Sequence, residues 1–343
     1  MPRRSTLPPA TAAVTIRDVA RAAGVHVSTV SRALAPAGPA GVSAEVAAAI
    51  KSAALRLGYR PNRAASALRT GRTHTIGVLL PDIANPLFPP ILQGIEAHAA
   101  ARGSFVLVAN AAGAVAVKAT LQRMLAQQVD GVILATAVRR DPMVDFIVES
   151  GLNAVLVNRA DDSGRLASVV SDDRLAMRLV VEHLVARGCE RLAHLAGPQD
   201  LPTGHGRRLA FEQALRDLGR RPGGIAHCKA YSREAGRDTT QRLLAARAPR
   251  PDALVCCNDL VALGAYDALA AAGLRVPADI SVSGHNDMQL ADLVHPALTT
   301  VRPPLREMGW RAAQLLFERL DGLPLSPAAL VLPPELVVRG STR

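Results

Sequence analysis

The chain has 343 residues, 49% hydrophobic but only 3% aromatic, with 40 Lys and Arg against 29 Asp and Glu, a net charge of +11. That length suits two or three domains with ample core, and no apolar run approaches the roughly 20 residues needed to cross a membrane. Residues 1–75 hold eleven basic residues against Asp18 and Glu45, whereas the remainder is close to neutral. A basic segment on a near-neutral body is the footprint of a head that binds a polyanion.

Residues 1–14 carry Arg3 and Arg4 with no apolar stretch behind them, and read as a disordered tail rather than a signal peptide. In the next twenty residues Ile16, Val19, Ala20 and Ala23 recur at helical spacing. Thr15 is placed to cap that helix and Gly24 to end it in the left-handed region. Val27, Val30 and Leu34 give a second helix its apolar face. Ser28, Thr29, Ser31 and Arg32 lie between them and offer donors for phosphates and base edges. This is the pattern of a helix-turn-helix, whose second helix enters the DNA major groove. A third helix is expected from Ser43 to Leu57, with Val46, Ile50, Ala53, Ala54 and Leu57 facing the first two. The segment from Asn62 to Arg72 is short and basic, with Leu68 alone among small residues. Such a helix is marginal alone in water.

From His74 onward apolar strands alternate with helices. Strands are expected at 75–80, 105–109, 131–134, 154–157, 192–195, 253–257, 280–284 and 335–339. Continuous apolar strands separated by helices imply parallel sheets covered on both faces. Such sheets bind ligands beyond the strand C-termini. The polar groups there are Asp82, Asn85 and Phe88's loop, Asn158 and Arg159, Thr203 and Arg207, Asn258 and Asp259, and Asn286 and Asp287. Arg207 has the planar fork to clamp a carboxylate or paired hydroxyls. Phe88 suits either a ligand platform or the core, Asp259 suits a helix cap, and Arg139 and Arg140 read as a solvated pair.

Thr15-Ile16-Arg17-Asp18-Val19-Ala20, Gly24-Val25, Thr29-Val30-Ser31-Arg32, Val42-Ser43, Leu57-Gly58-Tyr59, Pro61-Asn62-Arg63-Ala64-Ala65 and Leu68 carry a resemblance over the head. Gly197-Pro198, Asn258-Asp259 and Ser283-Gly284-His285-Asn286-Asp287 extend it through the body. The chain resembles the lactose/galactose/purine-repressor family of bacterial transcription regulators. The resemblance implies that Val27, Ser28 and Arg32 read bases. It also implies a hinge helix over 62–70 that sets Asn62, Arg63, Ala65, Leu68 and Arg69 against the minor groove, with Leu68 as a wedge between base pairs. The body would then be a bilobal α/β fold of the periplasmic-binding-protein kind, two parallel-sheet lobes crossed three times by the chain, near 170–173, 299–302 and 326–332. Arg207, Asn258 and Asn286 fall on its effector positions. Asn286 replaces the usual Asp, which leaves Arg207 without that partner and favours an anionic effector such as a sugar acid, a neutral sugar being the other reading. His26 departs from the usual Ser or Thr cap, and the loop at 35–41 is longer than usual.

The expected division is a tail at 1–14, a helix-turn-helix domain at 15–61, a hinge helix and linker at 62–73, and an effector and dimerisation domain at 74–343. Its lobes would be 74–171 with 301–328, and 172–300 with 329–343. The expected partners are an operator in double-stranded DNA, a sugar, sugar acid or related metabolite, and a second copy of the chain. No leucine-heptad tail follows the last strand, so dimers are expected. No phosphate loop, nucleophile elbow or acid/base pair is evident, so no catalytic residue and no cofactor is expected. Cys189, Cys228, Cys256 and Cys257 lack metal-type spacing and read as reduced buried thiols of a cytoplasmic protein. A transport solute-binding protein, the competing class, would call for an export signal and no basic head.

Overall fold

A computed structural model describes residues 14–34, 41–59, 71–289, 291–323 and 329–343. The chain divides into two compact units, Met1–Thr73 and His74–Arg343.

In the first unit, α1 (Ile16–Ala23), α2 (Val27–Ala33) and α3 (Ala44–Leu57) enclose Val19, Ala20, Val30, Ala33, Ala47, Ile50, Ala53 and Ala54. Thr15 and Asp18 close a capping box, in which the Asp18 carboxylate accepts the Thr15 backbone N–H at 3.0 Å and its hydroxyl at 2.7 Å. Gly24 turns the chain at φ 64°. Leu57, expected to face the core, is 38% exposed. The cause is length: α3 has 14 residues and outruns partners of 8 and 7.

In chain order the body begins with β1 (Thr75–Leu80), α4 (Phe88–Ala101), β2 (Phe105–Asn110), α5 (Ala114–Ala126), β3 (Gly131–Leu134), α6 (Pro142–Ser150), β4 (Ala154–Val157) and β5 (Ser168–Ser171). It continues through α7 (Asp173–Ala186), β6 (Leu192–Ala196), α8 (Pro202–Asp217), β7 (Gly224–His227), α9 (Arg233–Ala245), β8 (Ala253–Cys256), α10 (Asp259–Ala271), β9 (Ser281–His285) and β10 (Thr299–Arg302). It ends with α11 (Leu305–Leu320), β11 (Ala329–Leu332) and β12 (Glu335–Val337).

The first sheet has the order β2-β1-β3-β4-β5-β11 and the second β7-β6-β8-β9-β10-β12. Among the described residues only β12 runs antiparallel to its neighbour. The two lobes therefore repeat one doubly wound arrangement, whose strand order reverses beside β1 and again beside β6. Alternation along each strand splits the side chains between two covered faces. In the first lobe Ile76, Val78 and Ile133 pack with α4 and α11, and Leu79, Val132 and Leu134 with α5 and α6. In the second, Leu192, Ala253 and Val255 pack with α7 and α8, and Ala193, Leu195 and Leu254 with α10.

Among the described residues three short crossings join the lobes: Asp172, Pro303-Pro304 and Pro333-Pro334. The Asp172 backbone N–H donates to the Leu332 carbonyl at 2.9 Å, which ties the first crossing to the third. The lobe boundaries expected near 300 and 328 shift accordingly. Thr299–Arg302 pairs with β9 in the second sheet, and Ala329–Leu332, expected in the second lobe, pairs with β5 in the first. Strand pairing, not position along the chain, decides the membership of both. Helix α8 starts at Pro202, four residues before the expected Gly206, with the proline in the first turn where its missing N–H is harmless. Among the described residues no helix is long and apolar enough to cross a membrane.

Candidate functional site

On the head, Ser28 and Arg32 are exposed one turn apart on α2, while Val27, Thr29 and Ser31 are half-buried. This gives the helix a polar outer face above the Val30 and Ala33 contacts that hold it. His26 caps the helix: its Nδ1 accepts the Ser28 backbone N–H at 3.2 Å and lies 2.8 Å from the Ser28 hydroxyl. Thr15 is exposed at the start of α1. Asn62, Arg63, Ala65, Leu68 and Arg69 lie outside the described residues.

In the body, the loops at the carboxyl ends of the strands bring polar groups from both lobes together. Arg207, on α8, is 4% exposed. Its Nε donates to the Asp173 carboxylate at 2.8 Å and a terminal nitrogen to the Cys257 carbonyl at 2.7 Å. Burial disfavours the Arg207 charge, but Asp173 more than offsets this and holds the guanidinium above its ordinary value. Burial likewise raises the Asp173 carboxyl, with Arg207 pulling the other way. The expectation that Arg207 lacks an acidic partner is thus corrected. Asp173, the first residue of α7, supplies the carboxylate from another element.

Asn158 and Arg159 follow β4, each 8% exposed, with Asn158 at φ 67°. The Arg159 guanidinium reaches from the first lobe to lie 6.0 Å from the centre of the Tyr231 ring in the second. The Tyr231 hydroxyl shares a 2.7 Å hydrogen bond with Thr203, and burial pushes the phenol up to about 12. Gly197 permits this arrangement, since a Cβ there would lie 2.6 Å from the Tyr231 ring. Asn286 is 5% exposed at φ 114°, and its backbone N–H donates to the Val301 carbonyl at 2.8 Å.

Three expected cleft residues have structural tasks. The Asn85 side-chain oxygen accepts the Leu87 N–H at 3.0 Å and so holds the turn before α4. Phe88 is 1% exposed and belongs to the hydrophobic core of the first lobe. The Asn258 side chain caps α10 through the Val261 N–H at 2.9 Å. That leaves Asp259 free of the capping role expected of it. Its carboxylate instead accepts the Met288 N–H at 2.8 Å and the Thr300 hydroxyl at 2.6 Å, and burial pushes it up to about 6. Arg139 is no solvated partner of Arg140. It pairs with Asp162 at 3.0 Å, and its backbone N–H donates to the Asp200 carbonyl of the opposite lobe at 3.1 Å.

Asp173, Tyr231 and His285 were not evident beforehand. His285 is fully buried, 3.9 Å from the Asp173 carboxylate, and both ring nitrogens lack hydrogen-bond partners. Burial holds it neutral, well below the usual imidazole range. Among the described residues no group of three or more His, Cys, Asp or Glu is placed to hold a metal ion.

Residues 15–62 match the family described as "Bacterial regulatory proteins, lacI family", and residues 181–342 match "Periplasmic binding protein-like domain". The chain is 34% identical over 337 residues to the HTH-type transcriptional repressor CytR of Escherichia coli (strain K12), covering 96% of this chain and 97% of that protein. It is 31% identical over 330 residues to the ribose operon repressor of Halalkalibacterium halodurans, covering 96% and 97%. Its structure is similar to that of the lac repressor dimer bound to operator and the anti-inducer ONPF, with a TM-score of 0.83 at 30% identity, covering 96% of this chain and 99% of that one. The transcriptional regulator CelR–cellobiose complex gives a TM-score of 0.74 at 30% identity, with coverage of 96% and 99%. A helix-turn-helix DNA-binding head joined to a two-lobed periplasmic-binding-protein-like body makes this a transcriptional regulator and not an enzyme. The chain belongs to the LacI family of bacterial transcriptional regulators.

Proposed function

We propose that the protein binds a palindromic operator as a homodimer and represses transcription there, in the cytoplasm. It is switched by a sugar, sugar acid or related metabolite held between the lobes. Thr15, Val27, Ser28, Thr29, Ser31 and Arg32, with the hinge residues Asn62, Arg63, Ala65, Leu68 and Arg69, contact DNA. Asn158, Arg159, Thr203, Arg207 and Asn286 contact effector, with Asn85 and Asn258 shaping the loops. The observation that carries this reading is the approach of Arg159 in one lobe to Arg207 and Tyr231 in the other, with Tyr231 hydrogen-bonded to Thr203, over the strand C-termini. The ribose operon repressor and the CelR–cellobiose complex favour a sugar-related effector. Two observations favour a dimer: the lac repressor dimer is similar in structure, and the edge strand β2 leaves Phe105, Leu107 and Val108 exposed.

Effector binding alters how the lobes meet, and the change passes to the paired hinges, so operator affinity and effector affinity shift by the same factor. The test selects an operator from random palindromic duplexes, then measures its binding by anisotropy with and without sugars and sugar acids. An effector-dependent change in half-saturation supports the proposal. A chain that prefers no duplex over nonspecific DNA overturns it.

Replacing Arg32 with Ala is expected to relax base preference at one position per half-site, by about 1–3 kcal/mol for a bidentate contact. Unchanged preference in the same selection would move base reading elsewhere. Replacing Leu68 with Ala is expected to weaken specific binding far more than nonspecific binding, because a wedge acts only where the duplex kinks. Titrations on operator and on scrambled duplex separate the two, and equal losses would remove the wedge.

A further inference from the structure

The two buried arginines of the cleft are not equivalent. Arg207 is neutralised by Asp173 at 2.8 Å. Arg159 is 8% exposed, its Nε has no hydrogen-bond partner, and among the described residues no carboxylate lies within ion-pair distance of it. Its neighbours are the neutral Tyr231 ring, the positive Arg207, and Asp200, which acts from beyond ion-pair distance. Burial, opposed by Tyr231 and reinforced by Arg207, holds the guanidinium below its ordinary value. A buried charge without a partner is unfavourable by several kcal/mol, about what one well-placed counter-ion restores. Thr203, Asn158 and Asn286 add hydroxyl and amide groups but no negative charge.

We propose that Arg159 is an oxyanion subsite, and that the effector is a small metabolite carrying a carboxylate or a phosphate monoester which this guanidinium receives as a fork. The assignment rests on the cleft being the effector site. It replaces Arg207 with Arg159 as the anion-binding residue. Arg207 and Asp173 act as a preformed neutral pair that meets the hydroxyl or amide groups of the same molecule. An Arg suits this task because its planar donors match both kinds of oxyanion.

The test uses the full chain and inorganic phosphate as the first probe. Melting temperature is followed at pH 7 against phosphate, with chloride as the reference at matched ionic strength. The wild type is expected to gain stability along a saturating curve, as a ligand of the folded state requires. Arg159→Gln is expected to show only the shallow linear rise common to any protein, and Arg159→Lys to keep a weakened saturating response. Parallel curves for wild type and Arg159→Gln overturn the subsite, and the Lys variant carries the comparison if the Gln variant fails to fold.

Glucose, gluconate and glucose 6-phosphate, then ribose and ribose 5-phosphate, tell a carboxylate source from a phosphate source. The acidic member of a set should bind at least tenfold more tightly than its neutral partner, and Arg159→Gln should erase that margin. A neutral sugar bound more tightly, with affinity unchanged in the variant, overturns the proposal. Operator binding is measured on the same samples. Its loss in the wild type would remove the regulator reading alone, whereas parallel phosphate curves in DNA-competent protein remove the Arg159 assignment alone.

Discussion

Replacing Arg207 with Met is expected to destabilise the body by about 3 kcal/mol, the lower end for a broken buried pair, because it leaves the Asp173 carboxylate, its side chain only 20% exposed, without its counter-charge. The Asp173 carboxylate and the Cys257 carbonyl both lose their donor. His285, 3.9 Å from Asp173, is held neutral by burial and offers no ready substitute. Urea unfolding of the full chain measures the loss. Adding Asp173→Asn is expected to recover most of it, since an amide leaves no buried charge behind. The double variant should bind operator as the wild type does yet no longer respond to effector. A single variant that unfolds at the wild-type midpoint would mean that solvent reaches Asp173 and that the pair contributes little to stability.

The second large effect is steric. Helices α9 and α10 touch backbone to backbone, and a Cβ at Gly264 would run into the Arg233 carbonyl, lying 2.9 Å from its carbon. Gly264→Val is therefore expected to cost about 3 kcal/mol or more, the upper end of overpacking penalties, because backbone cannot swing aside as a side chain can. Gly273→Ala is the contrast. A Cβ there meets nothing, and only its φ of 70° opposes the change, at about 1–2 kcal/mol. Denaturant midpoints of the two variants separate crowding from backbone conformation. Similar losses would mean that α9 and α10 can part without harm.

The same helix pair shows what was hard to read beforehand. Helix α9 fully buries only Gly236, Thr239 and Thr240, while Ala235, Leu243 and Leu244 pack on the core half-buried, so its hydrophobic stripe is weak. Strand β5, Ser-Val-Val-Ser, and strand β7, Gly-Ile-Ala-His, are too short and too polar at their ends to stand out from loops. The head was legible because Val19, Ala20, Val30 and Ile50 fill one small core at helical spacing, with Gly24 and Ser43 marking the ends. The interior strands were legible because sheets covered on both faces need unbroken apolar runs. In the cleft, position was readable but partnership was not. Arg207 meets Asp173 across 34 residues through the packing of α7 beside α8 in the second lobe, and Arg159 meets Tyr231 across lobes, a pairing that the crossing topology brings about. Asn258 shows the reverse: a residue expected at the ligand caps a helix because it precedes Asp259 at the start of α10.

The crossings also set the order in which the molecule can be finished. The first lobe leads in synthesis, yet its core around Ile76, Val78 and Ile133 needs Met308, Ala312 and Leu316 of α11, which begins more than a hundred residues after β5. The second lobe lacks only β12 and the short segment through Ser341 and Thr342 once Arg302 has been made. The half synthesised first is thus completed late, and until then its α11-facing surface has no permanent cover. A growing chain in that state is exposed to chaperones, proteases and unwanted association. The same stitching links the halves in the mature protein, where stripping the last forty residues from the chain would remove α11 and a strand from each sheet at once.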